Sequence, residues 1–168
     1  MASETESPQF SVRRVTGVDL RAATELLVQQ QRAYGRDLDA DRLRPIVQAA
    51  LEDSDRVLVV GAFHEGLPGF AHGKMVGVIL MTVLISLEHA GEVGWIEELY
   101  VRDDYRKKGL GERLLSTALE WSAGRGLRAL DLEVAVEGHN LEAAERLYYK
   151  KGFEKVRRTR LSKTLAGG

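Results

Sequence analysis

This 168-residue chain predicts an α/β fold: a mixed central sheet of about six to seven strands, with helices on both faces. Three observations carry the prediction. Segments rich in β-branched residues follow one another between Arg56 and Val101, as an antiparallel meander requires. Beyond Val101 strand and helix patterns alternate, which is what parallel pairing needs. Between the two regimes lies a basic, glycine-containing junction, Arg106-Lys107-Lys108-Gly109-Leu110-Gly111.

Taken in order, residues 1–8 read as a disordered tail and residues 9–168 as a single domain. Phe10 to Val15 alternates as a first strand. Asp19, a good N-cap, opens a helix whose apolar residues Leu20, Ala23, Leu26 and Leu27, with Tyr34, recur at helical spacing. Gly35-Arg36-Asp37 breaks it. A second helix runs from near Asp39 to Leu51, with Leu43, Ile46, Val47, Ala50 and Leu51 as its inward stripe. Arg56–Phe63 and Lys74–Leu87 are neighbouring strands separated by a loop rich in glycine, and Val93–Val101 is a third. A helix starts near Gly111 and ends at Gly124 or Gly126. Leu130–Val136 is then a strand, Leu141–Lys151 a helix, and Phe153–Leu165 a closing strand with Arg and Lys on alternate positions.

Composition narrows the function. The chain has no cysteine, so disulfides, thiolate metal sites and thiol nucleophiles are excluded, and a reducing, cytoplasmic setting is favoured. Lys and Arg total 24 against 25 for Asp and Glu, a balance that gives no support to nucleic-acid or anionic-membrane binding. Met1–Gln9 lacks the cationic and apolar segments of a secretion signal, and Met75–Leu87 is too short to span a bilayer as a helix. His64, His72, His89 and His139 show no metal-ligand spacing, and no Gly-x-Ser-x-Gly elbow occurs, so neither a metal site nor a serine hydrolase is expected.

The junction at Arg106 suits an anion. Two glycines let the backbone approach a ligand without an intervening Cβ, the following helix offers unpaired N–H groups, and three cations stand beside them. The Gly-Lys-Ser/Thr ending of a Walker loop and the Gly-x-Gly-x-x-Gly turn of a dinucleotide fold are both missing. A second constellation follows: Asn140, Ala143, then Leu147-Tyr148-Tyr149-Lys150-Lys151-Gly152-Phe153. Asn140 also reads as the cap of the helix it precedes, and Tyr148 as an aromatic on an amphipathic helix. The third feature is the acid pair Glu97-Glu98 in the strand Trp95–Val101. Alternation puts Glu97, Leu99 and Val101 on one face and Ile96, Glu98 and Tyr100 on the other. A carboxylate among apolar neighbours is costly unless partnered or used. A carboxylate so placed, acting directly or through water, is also a sensible general base.

Arg-x-x-Gly-x-Gly, followed by Asn-x-x-Ala-x-x-x-Tyr-x-x-x-Gly-Phe, resembles the two acetyl-CoA segments of the GNAT superfamily of N-acetyltransferases, and the likeness covers nearly the whole chain past the tail. It implies the GNAT fold, with acetyl-CoA as cosubstrate and no metal, and direct transfer of acetyl to a primary amine. The pyrophosphate would lie on the amides of Lys107, Lys108, Gly109, Leu110, Gly111 and Glu112, with Arg106 leading; Lys107 stands where the family often has glycine. Leu99, Tyr100 and Val101 would line the pantetheine arm, joined by Asn140 and Ala143. Tyr148 would protonate the departing thiolate. Spermidine/spermine acetyltransferases place a glutamate where this chain has Glu97, which makes Glu97 the first candidate base and Glu98 the reserve. Many relatives dimerise, so a homodimer is raised without being specified. The acidic run Asp37, Asp39 and Asp41 gives a slight lead to a small cationic acceptor, polyamine-like or aminoglycoside-like, although one of these residues also suits a helix cap. A protein or amino-acid acceptor, and a non-catalytic acyl-CoA-binding sensor, are the alternatives.

Overall fold

The computed structural model of the protein describes residues 9–134, 141–157 and 160–165. The chain divides into two compact units, residues 1–133 and 134–168.

The first unit is built on a five-stranded sheet in the order β1 (Phe10–Arg14), β2 (Val57–His64), β3 (Lys74–Ser86), β4 (Gly91–Val101), β5 (Leu130–Leu132). The first four strands pair antiparallel and β5 joins β4 in parallel, so the sheet is mixed. Helices α1 (Leu20–Ala33) and α2 (Ala40–Glu52) cover one face. There Ala23, Leu26, Leu27 and Val47 pack with Val59, Phe63, Met75 and Val78. Helix α3 (Leu110–Arg125) covers the other face: a Cβ on Gly77 would lie 3.2 Å from Leu114, and Ser122 Oγ stands 3.7 Å from Met81 Sδ. Helices on both faces are therefore as the pattern requires. No helix among the described residues is long and apolar enough to cross a membrane.

Several expectations change on contact with the structure. Asp19 is at the N-cap position of α1 but makes no capping bond. It is buried and turned toward Arg13, whose guanidinium donates to both its oxygens at 2.8 and 2.9 Å, while the Thr16 amide and hydroxyl donate to it at 2.9 and 3.1 Å. A short 3-10 turn, Gly17–Asp19, precedes the helix and makes this geometry attainable. Ile46 is 63% exposed, because Leu43, Val47, Ala50 and Leu51 already complete the face that meets the sheet. Tyr34 caps α1 and is exposed rather than part of the helix stripe. By contrast Asp39 does cap α2, its Oδ1 accepting from Arg42 N–H at 2.9 Å. The strand after α3 is short, ending at Leu132.

In the second unit α4 spans Leu141–Lys150. The described residues of the expected closing strand, Phe153–Leu165, join no ladder, so five strands stand among the described residues where six to seven were expected. Alternating charge leaves that segment little apolar surface to anchor it, and Val156, Leu161 and Leu165 are all exposed.

Candidate active site

The site begins at a defect in β4. Leu80 of β3 opposes Glu98 while Met81 opposes Ile96, so Glu97 is an extra residue in β4, a β-bulge. Directly opposed residues share a face. Met81 reaches Ser122 of α3, so Ile96 faces α3, whereas Leu80 packs with the α1–α2 core, so Glu98 faces those helices. Strict alternation would have put Ile96 and Glu98 together; the bulge separates them and leaves Glu97 exposed.

Glu98 is held by the end of α1. Gln30 Nε2 donates to its Oε2 in a short contact, and Gln31 Nε2 donates to its Oε1 at 2.9 Å. Arg36 in turn donates from Nη1 to Gln31 Oε1 at 2.9 Å. Burial raises the Glu98 pKa above the ordinary glutamate range; the Gln31 bond, the Arg36 charge and the Gln30 bond offset this in part, and the Glu97 charge adds to it. Gln30 is itself fully buried, and its Oε1 has no partner among the described residues. An unpaired buried acceptor costs about 1–3 kcal/mol. Gln30 thus leaves its own carbonyl unsatisfied while donating to Glu98.

The register of β4 with β5 covers Gly94, Trp95 and Ile96, whereas β4 continues to Val101. Past the bulge, no strand among the described residues pairs with that edge of β4. Leu99 and Val101, partly buried, oppose Ile79 and Gly77 on the α3 face; Tyr100, on the other face, packs against the α1–α2 core.

The chain then enters the glycine junction. A 3-10 turn, Asp103–Tyr105, is anchored by Tyr105, whose hydroxyl lies 3.1 Å from His64 Nδ1 and whose ring meets Phe10 edge-on. Arg106 braces the loop, bonding the Val101 carbonyl from Nε at 3.2 Å and pairing with Asp103 at 2.6 Å. Lys107 and Gly109 both adopt left-handed backbone, at φ +60° and +74°. A Cβ on Gly109 would meet nothing within 4 Å, so its requirement is conformational rather than steric. Among the described residues, the amides from Lys107 to Gly111 donate to no backbone carbonyl outside a helix, and the first residues of α3 have no carbonyl one turn back to accept from them. Five N–H groups without a backbone carbonyl and the N-terminal end of α3 thus lie on one short turn beside Lys107 and Lys108, which are exposed, and donors of this kind fit an anion such as a pyrophosphate.

In the second unit, Gly152 at φ +86° reverses the chain after α4. Phe153 N–H then donates to the Tyr148 carbonyl at 3.1 Å and Gly152 N–H to that of Tyr149 at 3.0 Å. This is a Schellman cap, and its apolar contact is Phe153 against Tyr148. The Gly-Phe end of the second motif is thereby a device for fixing the Tyr148 ring. Tyr148 is partly buried; Tyr149 and Ala143 are exposed. Asn140 and His139 lie outside the described residues.

Sequence reasoning missed the glutamine pair and the His64–Tyr105 contact. The first had a signal: Gln30 and Gln31 continue the inward spacing of Ala23 and Leu27 at positions where an apolar residue would be expected.

Fold and motifs together define a class, and comparison with known proteins gives it a name. Residues 20–153 match the model of the acetyltransferase (GNAT) family. The chain belongs to that family and is a GNAT N-acetyltransferase. It is 25% identical over 145 residues to the uncharacterized N-acetyltransferase YhfO of Bacillus subtilis (strain 168), covering 86% of this chain and 90% of that one. Among solved structures it resembles the integron cassette protein HFX_CASS3 from the Cole Harbour Salt Marsh metagenome, with a TM-score of 0.75 and 25% identity over 94% of this chain and 91% of the other. The fold is also that of the aminoglycoside N-acetyltransferase AAC(6')-Iy, solved in complex with CoA, with a TM-score of 0.74 and 16% identity over 95% and 97% of the two chains.

Proposed function

We propose that the protein transfers acetyl from acetyl-CoA to a primary amine carried by a small cationic acceptor. The observation that carries the reading is the amide-lined, left-handed turn from Lys107 to Gly111, placed at the end of a β4 edge that β5 does not cover. The pyrophosphate would be held by the amides from Lys107 to Glu112 with Lys107 and Lys108 beside them, and Arg106 would stiffen the loop. Leu99, Tyr100 and Val101 offer their strand backbone to the pantetheine arm, with Asn140 and Ala143 added on the family's pattern. Acetyl-CoA supplies an activated thioester.

The chain's own groups handle the protons. Glu98 takes the ammonium proton, favoured over Glu97 by its burial, its two amide donors and its raised pKa. Glu97, exposed at the bulge, passes that proton to solvent through water. As the nitrogen–carbon bond forms and the carbon–sulfur bond breaks, the Tyr148 phenol gives its proton to sulfur. The proton left on nitrogen returns to solvent and the phenol is restored from it. Asp37 and Asp41, exposed in and just after the α1–α2 connection, support a cationic acceptor.

Calorimetric titration with acetyl-CoA tests the first half of this reading: no binding up to millimolar ligand would remove it. An amine panel read as free CoA released tests the second. Polyamines and aminoglycosides should lead; binding with no CoA release across the panel would instead favour a non-catalytic acyl-CoA sensor.

A further inference from the structure

The end of α1 forms one rigid arrangement with Arg36 at its centre. Gly35, at φ +71°, turns the chain back so that Arg36 N–H donates to the Gln31 carbonyl at 3.0 Å and Gly35 N–H to that of Arg32 at 2.9 Å. The same reversal delivers the Arg36 side chain to Gln31 Oε1, again at 2.9 Å. Backbone and side chain of one residue therefore both close on Gln31.

This fixes an amide that would otherwise have two orientations. A guanidinium has five donors and no acceptor, so Gln31 must turn its oxygen to Arg36. Its nitrogen then has to face Glu98, where it finds Oε1. A carboxylate that receives N–H donors on both oxygens is held ionised, since a proton on either oxygen would compete with an amide hydrogen. Gln30 supplies the second donor while leaving its own oxygen unpartnered among the described residues.

We infer that Arg36 is a positioning residue: by locking the orientation of the Gln31 amide, it keeps Glu98 an ionised hydrogen-bond acceptor. The charged groups acting on Glu98 are Arg36 from the α1–α2 connection and Glu97 on its own strand. Among the described residues, helix α1 adds the two neutral amides, and β3 places the apolar Leu80 opposite. Without Arg36 the Gln31 side chain is free to present its oxygen to the carboxyl, an arrangement satisfied only when Glu98 carries a proton. The catalytic meaning of this link rests on Glu98 being the proton acceptor of the reaction; the link itself does not.

Carbon-13 NMR titration of the Glu98 carboxyl tests it without any acceptor amine. In Arg36→Met the proton affinity of Glu98 should rise by more than threefold, about half a pH unit. Arg36→Lys, which keeps a donor-only cation, should restore it. Gln31→Leu should raise it at least as far, and Arg36→Met added to Gln31→Leu should raise it little further, because the arginine acts through the glutamine. An unmoved titration in Arg36→Met overturns the inference, as does an Arg36→Met shift that adds in full to that of Gln31→Leu, which would make Arg36 a through-space charge only. The acidic limb of kcat/KM separates the two readings: if it stays put while the carboxyl titration moves, the link stands and Glu98 is not the base.

Discussion

Phe153 stands edge-on to Tyr148, their ring centroids 5.5 Å apart and their planes inclined by 67°, and the backbone bond from Phe153 to the Tyr148 carbonyl ties the same two residues. An aromatic pair of this geometry contributes about 0.5–1.5 kcal/mol beyond its burial. Replacing Phe153 by Ala should therefore loosen the tyrosine ring. Turnover should fall several-fold while acetyl-CoA affinity stays within about twofold. Tyr148→Phe keeps the ring contact and removes the proton, and should lower kcat by about a hundredfold with affinity again preserved. Steady-state CoA release beside calorimetry reads both; equal activity in Tyr148→Phe would reject the acid role.

The Arg13–Asp19 pair makes a stability prediction with a pH signature. Burial alone would raise the Asp19 pKa, but the bonds from Arg13 and Thr16 outweigh it and the net shift is downward. Breaking this pair leaves the partly exposed Arg13 guanidinium to solvent and removes the bonds from Thr16, so Asp19→Ala should cost about 1–2 kcal/mol in urea unfolding. Because the folded pKa lies below the unfolded one, the contribution is complete above about pH 4 and is lost as pH falls through the folded value. The gap between wild type and variant should narrow as the solution is acidified below that point; a gap independent of pH would assign the loss to packing.

Lys107 holds a left-handed backbone that costs a non-glycine residue about 1–2 kcal/mol, while glycine loses some of this advantage through its freer unfolded chain. Comparing Lys107→Gly with Lys107→Ala removes the same charge from both. The glycine variant should be the more stable by about 0.5–1 kcal/mol by thermal or urea unfolding, the reverse of the usual order. Gly109→Ala should be destabilised by a similar amount and should bind acetyl-CoA more weakly, since its backbone sets the direction of the neighbouring amides.

Glu98 couples function to stability in opposite directions. Its carboxylate is harder to ionise in the folded protein than in the unfolded chain, so at neutral pH it opposes folding, and the opposition fades as pH falls through the folded pKa. Glu98→Gln should lower kcat by about a hundredfold or more. Its melting temperature at pH 7 should be at least that of the wild type, since a neutral amide at that position can also donate to the unpartnered Gln30 Oε1. The acidic limb of the kcat/KM profile should lie above the ordinary glutamate range in the wild type and vanish in the residual activity. A large fall in melting temperature would mean that Glu98 is structural.

Much of this was legible in the residues. β-Branched runs and helical spacing located the elements of the first unit, and glycine spacing located the left-handed turn that opens α3, because these features are local. What was not legible depends on tertiary partners. Asp19 has the chemistry of a cap, yet Arg13, seven residues before the start of α1, takes its carboxylate. Ile46 has the spacing of a core residue, but the sheet offers no surface where it points. Phe153–Leu165 has the alternation of a strand, but its described residues meet no ladder partner among the described strands. The amides that hold Glu98 lay out of reach for the same reason: Gln30 and Gln31 are some seventy residues away in sequence.

The extra residue in β4 also acts as a phase shift. Strand side chains alternate with a period of two, so one inserted residue reverses the facing of everything after it relative to everything before. Drawing Glu97 into the ladder opposite Leu80 would therefore do more than close a bulge. With the pairing to β3 kept at Met81–Ile96, it would put Glu97 in the place of Glu98 against α1 and send Glu98 toward α3 and Leu99 toward α1, whereas deleting Glu97 would leave Glu98 opposite Leu80 and each later residue on its present face. The entire downstream half of the strand, up to the mouth of the glycine turn, is written in a reading frame that this single residue sets.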